Sequence, residues 1–402
     1  MQTRGEQMLA LRRARNAASP PILRGGFRPF FVGGALWAVV ALCIWIASLA
    51  GSLAIPSAFD ALTWHRHEML FGFVGAIITG FLLTAIPNWT GRLPIAGGPL
   101  ASLFALWLAA RLAVFFSADL GAAVAALLDV GFYLLLAGVA AREVLESKNR
   151  NLPIVGMIVL FGIANGLDHL AAAGILLDPA VPWELAVSLV TILISLIGGR
   201  IVPSFTRNWL AKCGVRDGLP EQPGRFDLIV IGLTALSLLA WISAPAGWLP
   251  GLLLALAAIA QATRLARWKG WKAAADPLVL ILHVGYAWVP VGLGLLAVSQ
   301  FGDLPQSAAV HALTAGAMAT MILAVMTRAT LGHTGRELRA GPATRLIYIL
   351  VTIGAVLRVG AVAWGSNYQL GLEVAGAAWA GAFLLFIAAY GPILFAPRVG
   401  ES

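Results

Sequence analysis

Apolar residues in this chain come in long unbroken runs, not in the alternation of a half-buried strand or the stripe of a surface helix. Twelve runs approach or exceed the ~20 residues that carry a helix across a hydrocarbon core. They lie near residues 29–50, 68–87, 98–117, 120–141, 153–175, 184–203, 228–245, 248–266, 277–299, 306–327, 343–363 and 370–392. The pattern predicts an all-α polytopic transmembrane helix bundle of twelve spans. It forms a single domain over 28–396, between an N-terminal tail (1–27) and a C-terminal tail (397–402). The second, sixth and tenth runs end in related text: Ile86-Pro87-Asn88-Trp89-Thr90, Val202-Pro203-Ser204-Phe205-Thr206 and Val325-Met326-Thr327-Arg328-Ala329-Thr330. That recurrence suggests three four-helix units.

The charges agree with the count and supply a direction. All but three of the 27 Lys and Arg fall on one side if the N-terminus is cytoplasmic. Arg66 is left alone outside, and Arg111 and Arg358 lie within spans. The positive-inside rule then predicts both termini in the cytoplasm. The net charge of +9 therefore reports topology; the basic residues are scattered through short loops and indicate no nucleic-acid partner. The apolar share of 60%, the charged share of 11% and a mean hydropathy of +0.87 lie outside the soluble range. Met1–Ser19 is Arg-rich, lacks the apolar core of a signal peptide and reads as a flexible tail. Cys43 lies in the first span and Cys213 in a cytoplasmic loop of that topology, so they are not expected to pair. Cys-x-x-Cys-His is absent, so any haem is held without a covalent link. Nucleotide-binding, hydrolase and zincin motifs are absent as well.

Six histidines occur, and five lie in or at the edge of apolar runs, where polar groups are costly and usually functional. Helical rise places His169 and His311 roughly 24 Å from the cytoplasmic ends of their spans, Arg111 and Arg358 at about 20–23 Å, and His67 at about 30 Å. Asp168, Glu68 and Glu184 join this outer layer. Haem needs axial imidazole and cationic partners for its propionates, whereas copper needs two or three imidazoles. The layer suggests haem b on His169 and His311 with Arg111 and Arg358 at the propionates, and copper on His65 and His67 assisted by Glu68. In an ideal helix, His65 and His67 point about 200° apart, so sharing one metal requires unwound backbone before Met69. His283, near Tyr286, and His333, in a glycine-flanked loop, suggest a second, inner haem site. Plainer roles stand beside each assignment. His65 and His67 suit an interfacial belt with Trp64, and His169 suits interhelical hydrogen bonding. Arg111 and Arg358 suit neutralisation of buried carboxylates such as Asp129, and His333 suits a solvated loop.

The chain also resembles the NnrS-type haem- and copper-containing integral membrane proteins, from Phe27 onward. The resemblance is carried by Phe27-Arg28-Pro29-Phe30-Phe31, by Trp64-His65-Arg66-His67-Glu68-Met69-Leu70-Phe71-Gly72 and by Gly80-Phe81-Leu82-Leu83-Thr84-Ala85-Ile86-Pro87-Asn88-Trp89-Thr90-Gly91. Two further stretches carry it: Gly198-Gly199-Arg200-Ile201-Val202-Pro203-Ser204-Phe205-Thr206-Arg207-Asn208, and His311-Ala312-Leu313-Thr314-Ala315-Gly316 through Met326-Thr327-Arg328-Ala329-Thr330-Leu331-Gly332-His333. It implies a multi-pass protein of the bacterial inner membrane that binds haem and copper. It also implies a role in handling nitric oxide or protecting against nitrosative stress, often alongside denitrification. Arg66 departs from the small residue usual in the family and sets a cation between the two expected copper ligands. Two other functions fit the residues: a solute or proton-coupled transporter, and a membrane oxidoreductase fed by quinol or another electron donor. Lipid contact is common to all three. If the protein is an enzyme, the resemblance makes it an oxidoreductase acting on nitric oxide or a related nitrogen oxide.

Overall fold

Every long apolar run becomes a helix. The computed structural model describes residues 14–15, 18–149, 151–176, 178–244, 246–302, 304–363 and 367–401; most of the expected tail, residues 1–13, 16 and 17, lies outside them. The membrane-spanning helices are α1 (Phe27–Leu49), α2 (Ala61–Thr90), α3 (Gly98–Phe115), α4 (Ala122–Glu146), α5 (Leu152–Ala172) and α6 (Val181–Lys212). They continue with α7 (Arg225–Ser243), α8 (Trp248–Arg267), α9 (Pro277–Val298), α10 (Gln306–His333), α11 (Pro342–Gly360) and α12 (Tyr368–Phe395). No strand occurs among the described residues. The twelve spans thus match the apolar pattern; what the pattern underestimates is the length of α2, α6 and α10. With 30, 32 and 28 residues, all three run on through polar residues at their C-terminal ends, and α2 also at its N-terminal end.

Local chemistry fixes the helix ends. Asp60 Oδ1 accepts from the backbone N–H of Leu62 and Thr63 and starts α2. Proline in the first turn starts α3, α5, α9 and α11, where its missing N–H costs nothing. Gly91, in the left-handed region at φ 69°, closes α2.

The same three long helices each contain a π-helical segment: Glu68–Val74 in α2, Ile194–Gly198 in α6 and Ala312–Met318 in α10. Each includes a glycine over which an aromatic side chain lies. A Cβ on Gly72 would stand 2.7 Å from Trp37 Nε1, one on Gly198 3.1 Å from the Tyr286 ring, and one on Gly316 2.6 Å from the Trp288 ring. The looser π turn displaces backbone carbonyls from their usual partners, and buried donors take two of those in α2. Tyr133 Oη donates to Phe71 O at 2.5 Å, and Trp107 Nε1 to Gly72 O at 3.0 Å. In α6 the buried Arg264 donates to Ser195 O at 2.9 Å. The fourfold helix spacing seen in the sequence therefore reappears as a recurring backbone device.

The chain falls into two compact units. The first comprises 1–186, 330–336 and 387–402, the second 187–329 and 337–386. In the first, α2 packs against α1 and α4, and α4 against α3 and α5. Lipid tails offer no hydrophobic drive for this, so small residues let the backbones close up. Gly34 faces Ile77 and Gly80 faces Phe30, with no room for a further methyl in between. In the second unit, α9 packs against α8 and α10, and α7 against α8.

Candidate metal centre

The buried polar residues of the first unit converge on Asp129, a carboxylate two turns into α4 with no solvent exposure. His67, in the turn of α2 just before the π segment, has Nε2 2.8 Å from Asp129 Oδ2 and Nδ1 2.8 Å from Asp168 Oδ2. His169, one residue on from Asp168 in α5, has Nε2 3.1 Å from Asp129 Oδ2. Asn165, one turn earlier on α5, donates to the same oxygen at 2.7 Å. On the other side Arg111 of α3, fully buried, donates to Asp129 Oδ1 and, at 2.9 Å, to Glu68 Oε2. Glu68 Oε2 also accepts from Trp37 Nε1 at 2.6 Å. Aromatic rings enclose the cluster: Phe59 lies 4.8 Å from the His67 ring and 5.2 Å from the His169 ring, and Phe71 lies 5.1 Å from that of His67.

The expected residues fall as follows. His67, His169, Arg111 and Glu68 meet in this one cluster, together with Asp168. His65 goes elsewhere, its ring stacked on Trp45 at 4.7 Å and an interplanar angle of 15°. The unwound backbone expected before Met69 is not found. Residues 61–67 are α-helical because Asp60 caps them, and the helical rotation separates the two imidazoles. Arg66 turns to Thr63 Oγ1 at 3.0 Å and lies over the Trp183 ring, so it does not stand between metal ligands. Arg111 takes the plainer of its two expected roles and neutralises buried carboxylates, Asp129 among them.

His311 and Arg358 lie in the second unit. His311 Nδ1 donates to Ser307 O at 2.7 Å, and Arg358 is within electrostatic reach of the ring. His283 is also in the second unit. Thr206 donates its hydroxyl to Val202 O, so it accepts from His283 Nε2 at 2.8 Å and occupies that nitrogen. His333 belongs to the first unit, where it ends α10 instead of sitting in a loop, 5.4 Å from the Phe27 ring.

Two residues of the cluster lie outside the expected set: Asp129, which offers a candidate ligand atom, and Asn165, which donates to it. A carboxylate alone in an apolar span was a signal in itself.

Comparison with protein families gives a match to the family described as NnrS protein over residues 21–398. The chain belongs to the NnrS family. No curated protein matches it.

This NnrS-family chain offers a donor set suited to a transition metal. His67, Asp129 and His169 each present one ligand atom, all within 4.8 Å of one another. The 2.8 and 3.1 Å separations compare with about 3.3 Å along the edge of a tetrahedral site with ~2.0 Å bonds, so a small outward movement admits an ion. Asp168 on His67 Nδ1 forms the carboxylate–histidine arrangement that orients a metal-binding imidazole. Two buried acceptors beside the cluster, Glu68 Oε1 and Asn165 Oδ1, have no hydrogen-bond partner among the described residues. Both ring nitrogens of His67 face carboxylate oxygens, so both donate in this arrangement, and a metal ion on Nε2 would take the place of that proton among the three carboxylates.

Proposed function

We propose that this protein is a histidine-based metalloprotein of the bacterial cytoplasmic membrane that binds or processes nitric oxide, or protects the cell from it. In this reading copper occupies His67–His169–Asp129, and haem b is held by His311. The observation that carries the reading is the convergence of two imidazoles and a carboxylate, enclosed by Phe59 and Phe71 and braced by Asp168. Imidazole-rich sites prefer copper to zinc by the Irving–Williams order, and membership of the family favours the same ion. For haem, His311 would be the residue that holds it: Nδ1–H donates to a backbone carbonyl, which leaves Nε2 as the nitrogen that would bind iron. Arg358 is its neighbouring cation for propionates, whereas Arg111 is engaged by carboxylates.

When bound, haem iron and copper supply a position for nitric oxide and a one-electron couple. The residues of the chain supply the rest. Phe59 and Phe71 keep water from the imidazoles, Asp168 orients His67, and Arg111 with Glu68 holds Asp129 in place. A quinol or similar donor would make the protein an oxidoreductase.

A second reading, a solute or proton-coupled carrier, draws on the second unit. There Arg264 donates to Asp227 at 2.6 Å and to Tyr286 at 2.9 Å, a buried ionic network with no part in either metal site. The visible spectrum of the purified protein separates the two. A Soret band that shifts with nitric oxide and is lost in His311→Ala supports the metalloprotein; a colourless, metal-free preparation leaves the carrier.

A further inference from the structure

Two sequence features remain outside the metal centre: the Phe27-Arg28-Pro29 opening of α1 and the Gly332-His333 end of α10. Both line a cleft of about 330 Å³ in the first unit. Its other walls include Arg24, Arg92, Arg398 and Glu401, so four guanidiniums and an imidazole share it with one carboxylate.

The charges are poorly balanced. Arg28 is buried, and its Nη1 donates to two neutral acceptors, Leu394 O and Ala396 O, both at 2.7 Å. Arg24 reaches Glu401 at 3.5 Å, and Glu401 also lies within electrostatic reach of Arg28. Arg92 is drawn outward to Glu143 and Glu146. Arg336 adds a fifth guanidinium within electrostatic reach of Arg28, and its buried Nη1 has no hydrogen-bond partner among the described residues. Like charges gathered around a concavity repel unless a counter-charge enters.

We propose that this cleft binds a phosphate group, carried by an anionic lipid headgroup or by a soluble phosphomonoester. A carboxylate would bring one charge and two oxygens. A phosphate brings up to two charges and more acceptors, and guanidinium forks match its geometry. The site is separate from the metal cluster and does not depend on that assignment.

The test uses the full-length purified protein at fixed ionic strength. One arm titrates glycerol 3-phosphate and follows equilibrium binding; the other measures retention of phosphatidylglycerol against phosphatidylcholine by native mass spectrometry. Saturable binding in either arm is expected, and the responding arm names the source. An Arg24→Gln/Arg398→Gln variant should bind at least tenfold more weakly. Glu401→Gln, which removes the competing carboxylate, should bind severalfold more tightly, a gain that misfolding does not produce. Wild-type protein that binds in neither arm overturns the proposal, as does unchanged affinity in both variants.

Discussion

Replacing Asp168 with Asn isolates what the second carboxylate does for the metal cluster. Asparagine has almost the same shape and keeps a carbonyl oxygen where Asp168 Oδ2 lies, 2.8 Å from His67 Nδ1. The hydrogen bond survives and the charge is lost. His67 becomes a less basic ligand, held in the same orientation. Removing such outer partners typically weakens metal binding 10–100-fold, or about 1.4–2.7 kcal/mol. Asp168→Ala should fall at the far end of that range, because it also frees the ring to rotate. The stability of the metal-free protein should change by no more than about 1 kcal/mol in Asp168→Asn, since the buried donor keeps an acceptor. Competition with a chromophoric copper chelator measures the affinity, and thermal unfolding of metal-free protein measures the stability. Wild-type affinity in both variants, or a loss of stability as large as the loss of affinity, would refute the reasoning and make Asp168 a packing residue.

Three other substitutions or fusions probe the remaining structure. Gly75→Ala would drive a methyl into Tyr133 Oη and push it off the Phe71 carbonyl of the π segment; a loss of about 1–3 kcal/mol is expected in thermal unfolding. Arg264→Leu leaves Asp227 buried without its partner and should cost about 3–5 kcal/mol, yet leave the metal content per folded protein unchanged. Reporter fusions after Arg150 and after Lys272 should both score cytoplasmic, and a periplasmic signal at either overturns the expected orientation.

The spans were legible because the hydrocarbon core imposes one requirement, sustained apolar length, that composition records directly. The polar layer was legible for the complementary reason: Arg111, His169 and Asp168 stand out where water is absent. Two features were not. The π segments replace one hydrogen-bond pattern with another without changing residue type, so only Gly72, Gly198 and Gly316 mark them, and glycine is abundant throughout the chain. The divergence of His65 from His67 is the second, and its cause is local capping. Asp60 three residues before Thr63 is a readable N-cap, and it predicts a helix whose rotation parts His65 from His67. Asp129 was visible as a buried carboxylate. That α4 presents it to both α2 and α5 is a matter of packing, which the spacing along one chain does not encode.

Metal content of three single variants bears most directly on the central claim. Copper per folded chain is measured by mass spectrometry after loading and desalting, in His65→Ala, His67→Ala and His169→Ala beside the wild type. Loss of copper in His67→Ala and His169→Ala, with retention in His65→Ala, is the result the cluster around Asp129 predicts. Loss in His65→Ala with full copper in His169→Ala would contradict it and return the site to the mouth of α2.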